Sequence, residues 1–323
     1  YFIDEIFKVI EKYGRGVFYV FDCLSELSVD WYSDRMLGNF FRLTCPYLYD
    51  YDTATYFALL RDHHTTHTIK AIHNTAQVII DVYRSENDIY IQPLKVDKRY
   101  TPTMYSLHHW KNKELIPVTK SIIISKILNG VSHPWLDFSK SIKDMWIRTF
   151  MKANEIELAN VPKDSPDHKE YFNRLLRMVV TREEKLLSLA YKYFNLSDLI
   201  DIGKHMIGTG LIGGKAVGML LSRAIIKKED PVLQEKIEPH DSFFIGSDVF
   251  YTYLINSGCW WDRWHLRKNI NLIDNAEEIR KKLLTGTFPD DIIEQLKEVL
   301  HYFGQSPFIV RSIIFFLSMS ISS

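Results

Sequence analysis

The residues of this chain best suited to chemistry lie between positions 207 and 218. There, five of the fourteen glycines of the 323-residue sequence surround one lysine, Lys215. Glycines let a backbone turn sharply and approach a ligand closely. The apolar run at 219–226 predicts a helix behind them, whose first N–H groups point back into the loop. An anion suits such a place, and Lys215 adds a positive charge in the first turn; the plain alternative is a flexible loop with a surface lysine. Asp22 ends the apolar run at 17–21, which reads as a buried strand. A carboxylate at that end can help to hold magnesium, or it can cap the next turn. His63 and His67 share a helical face at i, i+4 and could hold zinc. No cysteine is near, however, and the composition of a solvated helix end explains the group of His63, His64 and His67 more simply.

Three kinds of phosphate loop can be compared with residues 207–218. A Walker A loop needs Gly six residues before its Lys and a hydroxyl after it; Thr209 and Ala216 stand there, so that reading fails. Gly208-x-Gly210-x-x-Gly213 spells a dinucleotide fingerprint, with Glu229 and Asp230 at about the distance of a ribose contact, but residues 199–206 are not a clean buried strand. The run Gly213-Gly214-Lys215-Ala216-x-Gly218-Met219-Leu220 resembles the Gly-Gly-Lys-x-x-x-Leu opening of the nucleotide-binding domain shared by phosphoenolpyruvate synthase and pyruvate, phosphate dikinase. Further on, Gln305-Ser306-Pro307-Phe308-Ile309-Val310-Arg311-Ser312 is similar to that family's apolar strand ending in Val-Arg-Ser. The resemblance spans residues 196–312 and implies an ATP-grasp-type fold that binds ATP with Mg2+. It also implies that Gly213, Gly214, Lys215 and Arg311 contact the phosphates, and that a phosphoryl group passes to a histidine on a separate swivelling domain before reaching pyruvate.

Composition limits the remaining classes. Lys plus Arg and Asp plus Glu each number 40, so no net field draws the chain to nucleic acid or a membrane. Cys23, Cys45 and Cys259 are widely separated and form neither a disulfide framework nor a metal pair, and a cytoplasmic location is expected. No apolar run approaches the roughly 20 residues of a membrane span.

The elements that must position these residues read as an α/β chain in three parts. Residues 1–102 resemble part of a RecA-like α/β domain. Asp22 is expected at the end of a central strand, helices at 2–13, 31–43, 53–62 and 68–75, and strands at 76–82 and 89–96, the last near an edge because of Pro93. The resemblance rests on the Asp22 motif and the order of elements, and no Walker A lysine accompanies it. Residues 103–195 read as a helical connector, with helices at 119–128, 139–153 and 166–194, the last broken near Thr181. Residues 196–323 read as a truncated ATP-grasp-type domain. Ser197 is expected to cap a helix, 241–246 to form a short strand, Ser247 and Asp248 to cap a helix to Asn256, and two helices at 275–285 and 289–303 to lead to the strand before Arg311. Trp260, Trp261 and Trp264 with Arg263 and Arg267 could stack on a base, although such a cluster is more often core.

The departures from the family pattern carry weight too. No Asp or Glu follows Glu298, so the carboxylates that would hold magnesium in the second half of the grasp are missing, as are the phosphohistidine domain and the pyruvate-binding barrel. The absence of an initial methionine and the final apolar run fading into serines read as a fragment of a longer protein. The expectation is a piece of an ATP-dependent phosphotransferase that binds ATP weakly and turns none over. The alternative is a non-catalytic nucleotide-sensing or assembly protein with decayed RecA-like and grasp domains.

Overall fold

The computed structural model describes residues 2–61, 63–129, 145–238, 241–268 and 276–311. The chain divides into two compact units, the first made of Tyr1–Leu27 and Leu37–Asp144, the second of Ser28–Met36 and Met145–Ser323.

The first unit begins with helix α1 (Phe2–Tyr13), which buries Phe7 and Ile10 as its periodicity requires. Strand β1 (Phe18–Phe21), helices α2 (Leu24–Trp31) and α3 (Asp34–Asp50), and strand β2 (Ala54–Phe57) follow. β1 pairs in parallel with β2 and, among the described residues, with no other strand. The core beside them is aromatic: Phe21 stacks on Phe57 at 4.9 Å, and Phe40 meets Phe41 edge-on at 6.0 Å. The expected helix at 53–62 is therefore corrected to a strand, as befits the β-branched and aromatic run Thr55-Tyr56-Phe57. The central-strand expectation is corrected as well. β1 has one neighbour, its Phe18 and Val20 are exposed, and Asp22 beyond it is exposed.

Helix α4 (Thr66–Thr75), capped by the Thr65 hydroxyl, leads into an antiparallel sheet in the order β3 (Val78–Ser85), β4 (Asp88–Val96), β5 (His108–Lys111), β6 (Glu114–Pro117). β3 and β4 are joined by the tight turn at Glu86 and Asn87, which forces them antiparallel and apart from the β1–β2 pair, so the alternation read as RecA-like does not continue through them. β4 lies inside the sheet, not at its edge. Pro93, which has no N–H to give, is accommodated by a register shift at Ile79/Ile80. β5 and β6 fall in the segment expected to be helical. Their turn has Asn112 and Lys113 at φ 53° and 68°, the left-handed pair that two-residue hairpins need. Helix α5 (Ser121–Asn129) starts two residues after its expected cap Thr119, and its Ile127 packs with Tyr83 and Leu107.

In the second unit, α6 (Met145–Leu158), α7 (Pro166–Leu175), α8 (Glu184–Tyr193) and α9 (Leu196–Lys204) pack around a core that includes Ala153, Leu175, Met178, Ala190 and Leu199. Residues 139–144 of the expected helix at 139–153 lie outside the described residues. The expected break near Thr181 is present: α7 passes into a buried π turn (Leu176–Val180) before the chain opens at Thr181. The cap of α9 is Asn195, not Ser197, in a reciprocal pair of bonds with Asp198. Strand β7 (Met206–Ile207), α10 (Gly214–Glu229), α11 (Pro231–Gln234), β8 (Phe244–Ile245), α12 (Ser247–Asn256), α13 (Cys259–Lys268), α14 (Ala276–Thr285) and α15 (Asp290–Phe303) complete the unit. β7 and β8 pair in parallel, and the glycine loop emerges from the end of β7.

Residues 307–311, expected as a strand ending in Arg311, are irregular, with Ile309 and Val310 exposed. The correction has a plain cause. No neighbouring strand among the described residues takes up their backbone groups, and apolar character alone does not make a strand. Among the described residues no helix is long and apolar enough to cross a membrane.

Candidate functional site

The glycine loop at 208–213 is held on several sides. Gly208 and Gly210 adopt φ of +73° and +90°, conformations that other residues avoid. A Cβ at 208 would lie 2.3 Å from Val249 Cγ2, and one at 210 would lie 2.5 Å from Ser247 Oγ, so both glycines are required by close packing as well. Gln295 Oε1 accepts from Gly208 N at 3.0 Å, Ser247 Oγ accepts from Leu211 N at 3.1 Å, and the Val179 carbonyl of the π turn accepts from Ile212 N at 2.8 Å.

Asp248 is the hub. Its side chain is wholly buried, and it accepts from Thr209 N and Thr209 Oγ1, both at 2.8 Å, while Arg35 Nε stands 3.2 Å from Oδ2. Because Thr209 gives its hydroxyl proton to Asp248, Ser33 Oγ, 2.8 Å away, donates in turn to Thr209. Burial pushes the Asp248 carboxyl up, opposed by the Thr209 N–H and the Arg35 charge. The sequence reading of Ser247 and Asp248 as caps is corrected. The cap position of α12 is Gly246, with no side-chain bond, and both side chains reach across to the loop.

Two helix N-termini meet this loop, and they differ. At α12 the N–H groups of Ser247 and Asp248 are taken by the Leu211 and Thr209 carbonyls, at 3.0 and 3.3 Å. At α10 the cap residue is Gly213, which has no side chain, and no side-chain cap bond closes the first turn. Lys215 sits in that turn and is exposed. On the same helix, Gly214 and Gly218 are i, i+4 neighbours, and a Cβ at either would meet nothing within 4 Å. Packing explains Gly208 and Gly210; among the described residues no contact requires Gly214 to be glycine.

Other sequence candidates find different surroundings. His64 is buried with Nε2 2.7 Å from Ser25 Oγ, and His63 is exposed with Nδ1 on the Arg61 carbonyl; His63 precedes α4 while His67 lies within it, so the two do not share a helical face. Among the described residues no group of three His, Cys, Asp or Glu side chains could hold a metal ion, and Asp22 is exposed. Arg263 lies 5.5 Å from the Tyr251 ring and 5.8 Å from that of Trp260, and Trp264 is buried, as in a packed aromatic core. Arg311 is exposed. Ser33, Arg35 and Gln295 went unread in the sequence, because nothing local marks a residue whose partner lies far along the chain.

Residues 209–313 match a family model described as Pyruvate phosphate dikinase, AMP/ATP-binding domain. No curated protein and no solved structure matches the chain.

Proposed function

We propose that the second unit binds ATP with its phosphates at the first turn of α10, and that the chain is part of an ATP-dependent phosphotransferase related to phosphoenolpyruvate synthase and pyruvate, phosphate dikinase. The observation that carries this reading is the first turn of α10, which lacks a side-chain cap and presents a bare Gly214 beside an exposed Lys215 within the stretch matched to an AMP/ATP-binding family. Phosphoryl transfer asks a protein mainly for positioning and neutralisation of charge. The N–H groups of the first turn and the Lys215 ammonium supply both for the phosphates, and Arg311 is the second cation of the site. Magnesium arrives on the ATP phosphates. The histidine that receives the phosphoryl group belongs to a domain outside this chain, so sustained phosphate release from this chain alone would contradict the reading.

Gly214→Ala is the selective test. Its methyl group meets no atom of the described residues, so the melting temperature should stay within about 2 °C, the shift expected of a change that creates no contact or cavity. ATP affinity measured by calorimetry should fall at least about tenfold, since the methyl group stands where the phosphates approach. Unchanged affinity would move the site away from this turn.

A further inference from the structure

Residues 28–36 belong to the second unit although they are far in sequence from the rest of it. They make a tight turn between α2 and α3, in which Ser33 N donates to the Ser28 carbonyl at 3.3 Å and Tyr32 takes φ 53°, a conformation rare for an aromatic residue. Strain of this kind persists only where the surroundings hold it. They do so here. Tyr32 packs against the main core of the unit, the Arg182 guanidinium lies 5.3 Å from its ring, and Arg182 donates to the Trp31 carbonyl at 3.0 Å.

The fixed turn delivers two side chains to the glycine loop. Ser33, 1 % exposed, meets the Thr209 hydroxyl, and Arg35 pairs with Asp248 through Nε and with Asp291 through its terminal nitrogen. Asp291 in turn leads back to the loop, because its carbonyl accepts from Gln295 Nε2 at 3.2 Å while Gln295 Oε1 accepts from Gly208 N. Both arms of the Arg35 guanidinium thus end on groups that bond the loop, one through Asp248 to Thr209 and one through Asp291 and Gln295 to Gly208. A planar fork with two fixed partners sets a distance between them, which a lysine cannot do.

We infer that the turn at 31–35 is a clamp that sets the conformation of the glycine loop, and that Ser33 and Arg35 are positioning residues for the nucleotide site. Both residues lie outside the matched stretch 209–313. The consequence for ATP rests on the reading given under Proposed function; the clamp itself does not.

The test uses the full chain as wild type, Ser33→Ala, Arg35→Met and Arg35→Lys, with ATP titrated by calorimetry and amide hydrogen exchange followed over 208–212. Ser33→Ala removes one hydroxyl and should lower the melting temperature by only about 2–4 °C, the worth of one hydrogen bond. It should also speed exchange of the loop amides about tenfold and weaken ATP about fivefold to tenfold, the worth of one lost hydrogen bond. Arg35→Met should have larger effects on both, and Arg35→Lys should recover only part of them. If wild type takes ATP and neither loop exchange nor affinity changes in Ser33→Ala and Arg35→Met, the clamp is overturned while the ATP site stands. If wild type takes no ATP but the variants loosen the loop, the clamp stands and the ATP reading fails. Full recovery by Arg35→Lys would reduce the role of Arg35 to charge alone and overturn the positioning role.

Discussion

Asp248→Ala should destabilise the second unit by about 3–5 kcal/mol, the usual cost of removing one partner of a buried ion pair. The expected fall in melting temperature is about 10 °C. The size follows from what is left behind: the Thr209 N–H and hydroxyl lose their acceptor, and the largely buried Arg35 Nε loses its partner. Asp248→Asn should cost less, because an amide oxygen can still accept from Thr209 N, and the pair of variants also fixes the sign of the pH dependence. The folded-state carboxyl lies above its unfolded value, so its contribution is fully present below the ordinary Asp range and is lost as pH rises through the raised folded value. Against Asp248→Asn, which does not titrate, wild type should therefore lose relative stability as pH rises above the ordinary Asp range and through the raised folded value. Denaturant midpoints across that range read the difference; a relative stability that grows with pH would mean that Arg35 outweighs burial.

Lys215→Ala is the second large effect, and it falls on binding alone. An exposed lysine at a helix start contributes little to stability, so the melting curve should barely move. A charge-assisted bond to phosphate is worth about 1.5–3 kcal/mol, so ATP affinity should drop about tenfold to a hundredfold. The loss should shrink at high salt, because charge is the source of the interaction. Calorimetry at two ionic strengths checks both parts; equal affinity for wild type and variant would remove Lys215 from the site.

Local signals in the sequence reached some of this and missed the rest for identifiable reasons. The glycine loop, the helix behind it and the position of Lys215 in the first turn were legible, because each depends on residues within a few positions of one another. The helix over 2–13, the strand before Asp22 and the break near Thr181 were legible on the same ground. Strand pairing was not. The apolar run at 17–21 looks the same whether it gains one neighbour or several, and β1 gained one. The hairpin β5–β6 carries its signal in Asn112-Lys113, a weaker mark of a two-residue turn than Asn-Gly or Asp-Gly. Asp248 reads locally as a cap, since a polar residue at a helix start ordinarily is one; its real partners, Thr209 and Arg35, are set by tertiary folding. Ser33 and Arg35 have no local pattern at all.

The most direct measurement for the central claim is amide hydrogen exchange on the wild-type chain with and without magnesium-ATP. Slowed exchange at Gly214, Lys215 and Ala216, the first-turn donors of α10, is the expected result, with AMP giving less protection there because it lacks the outer phosphates. Protection confined to other segments, or none at ATP concentrations that saturate any calorimetric signal, would contradict an ATP phosphate site at this helix.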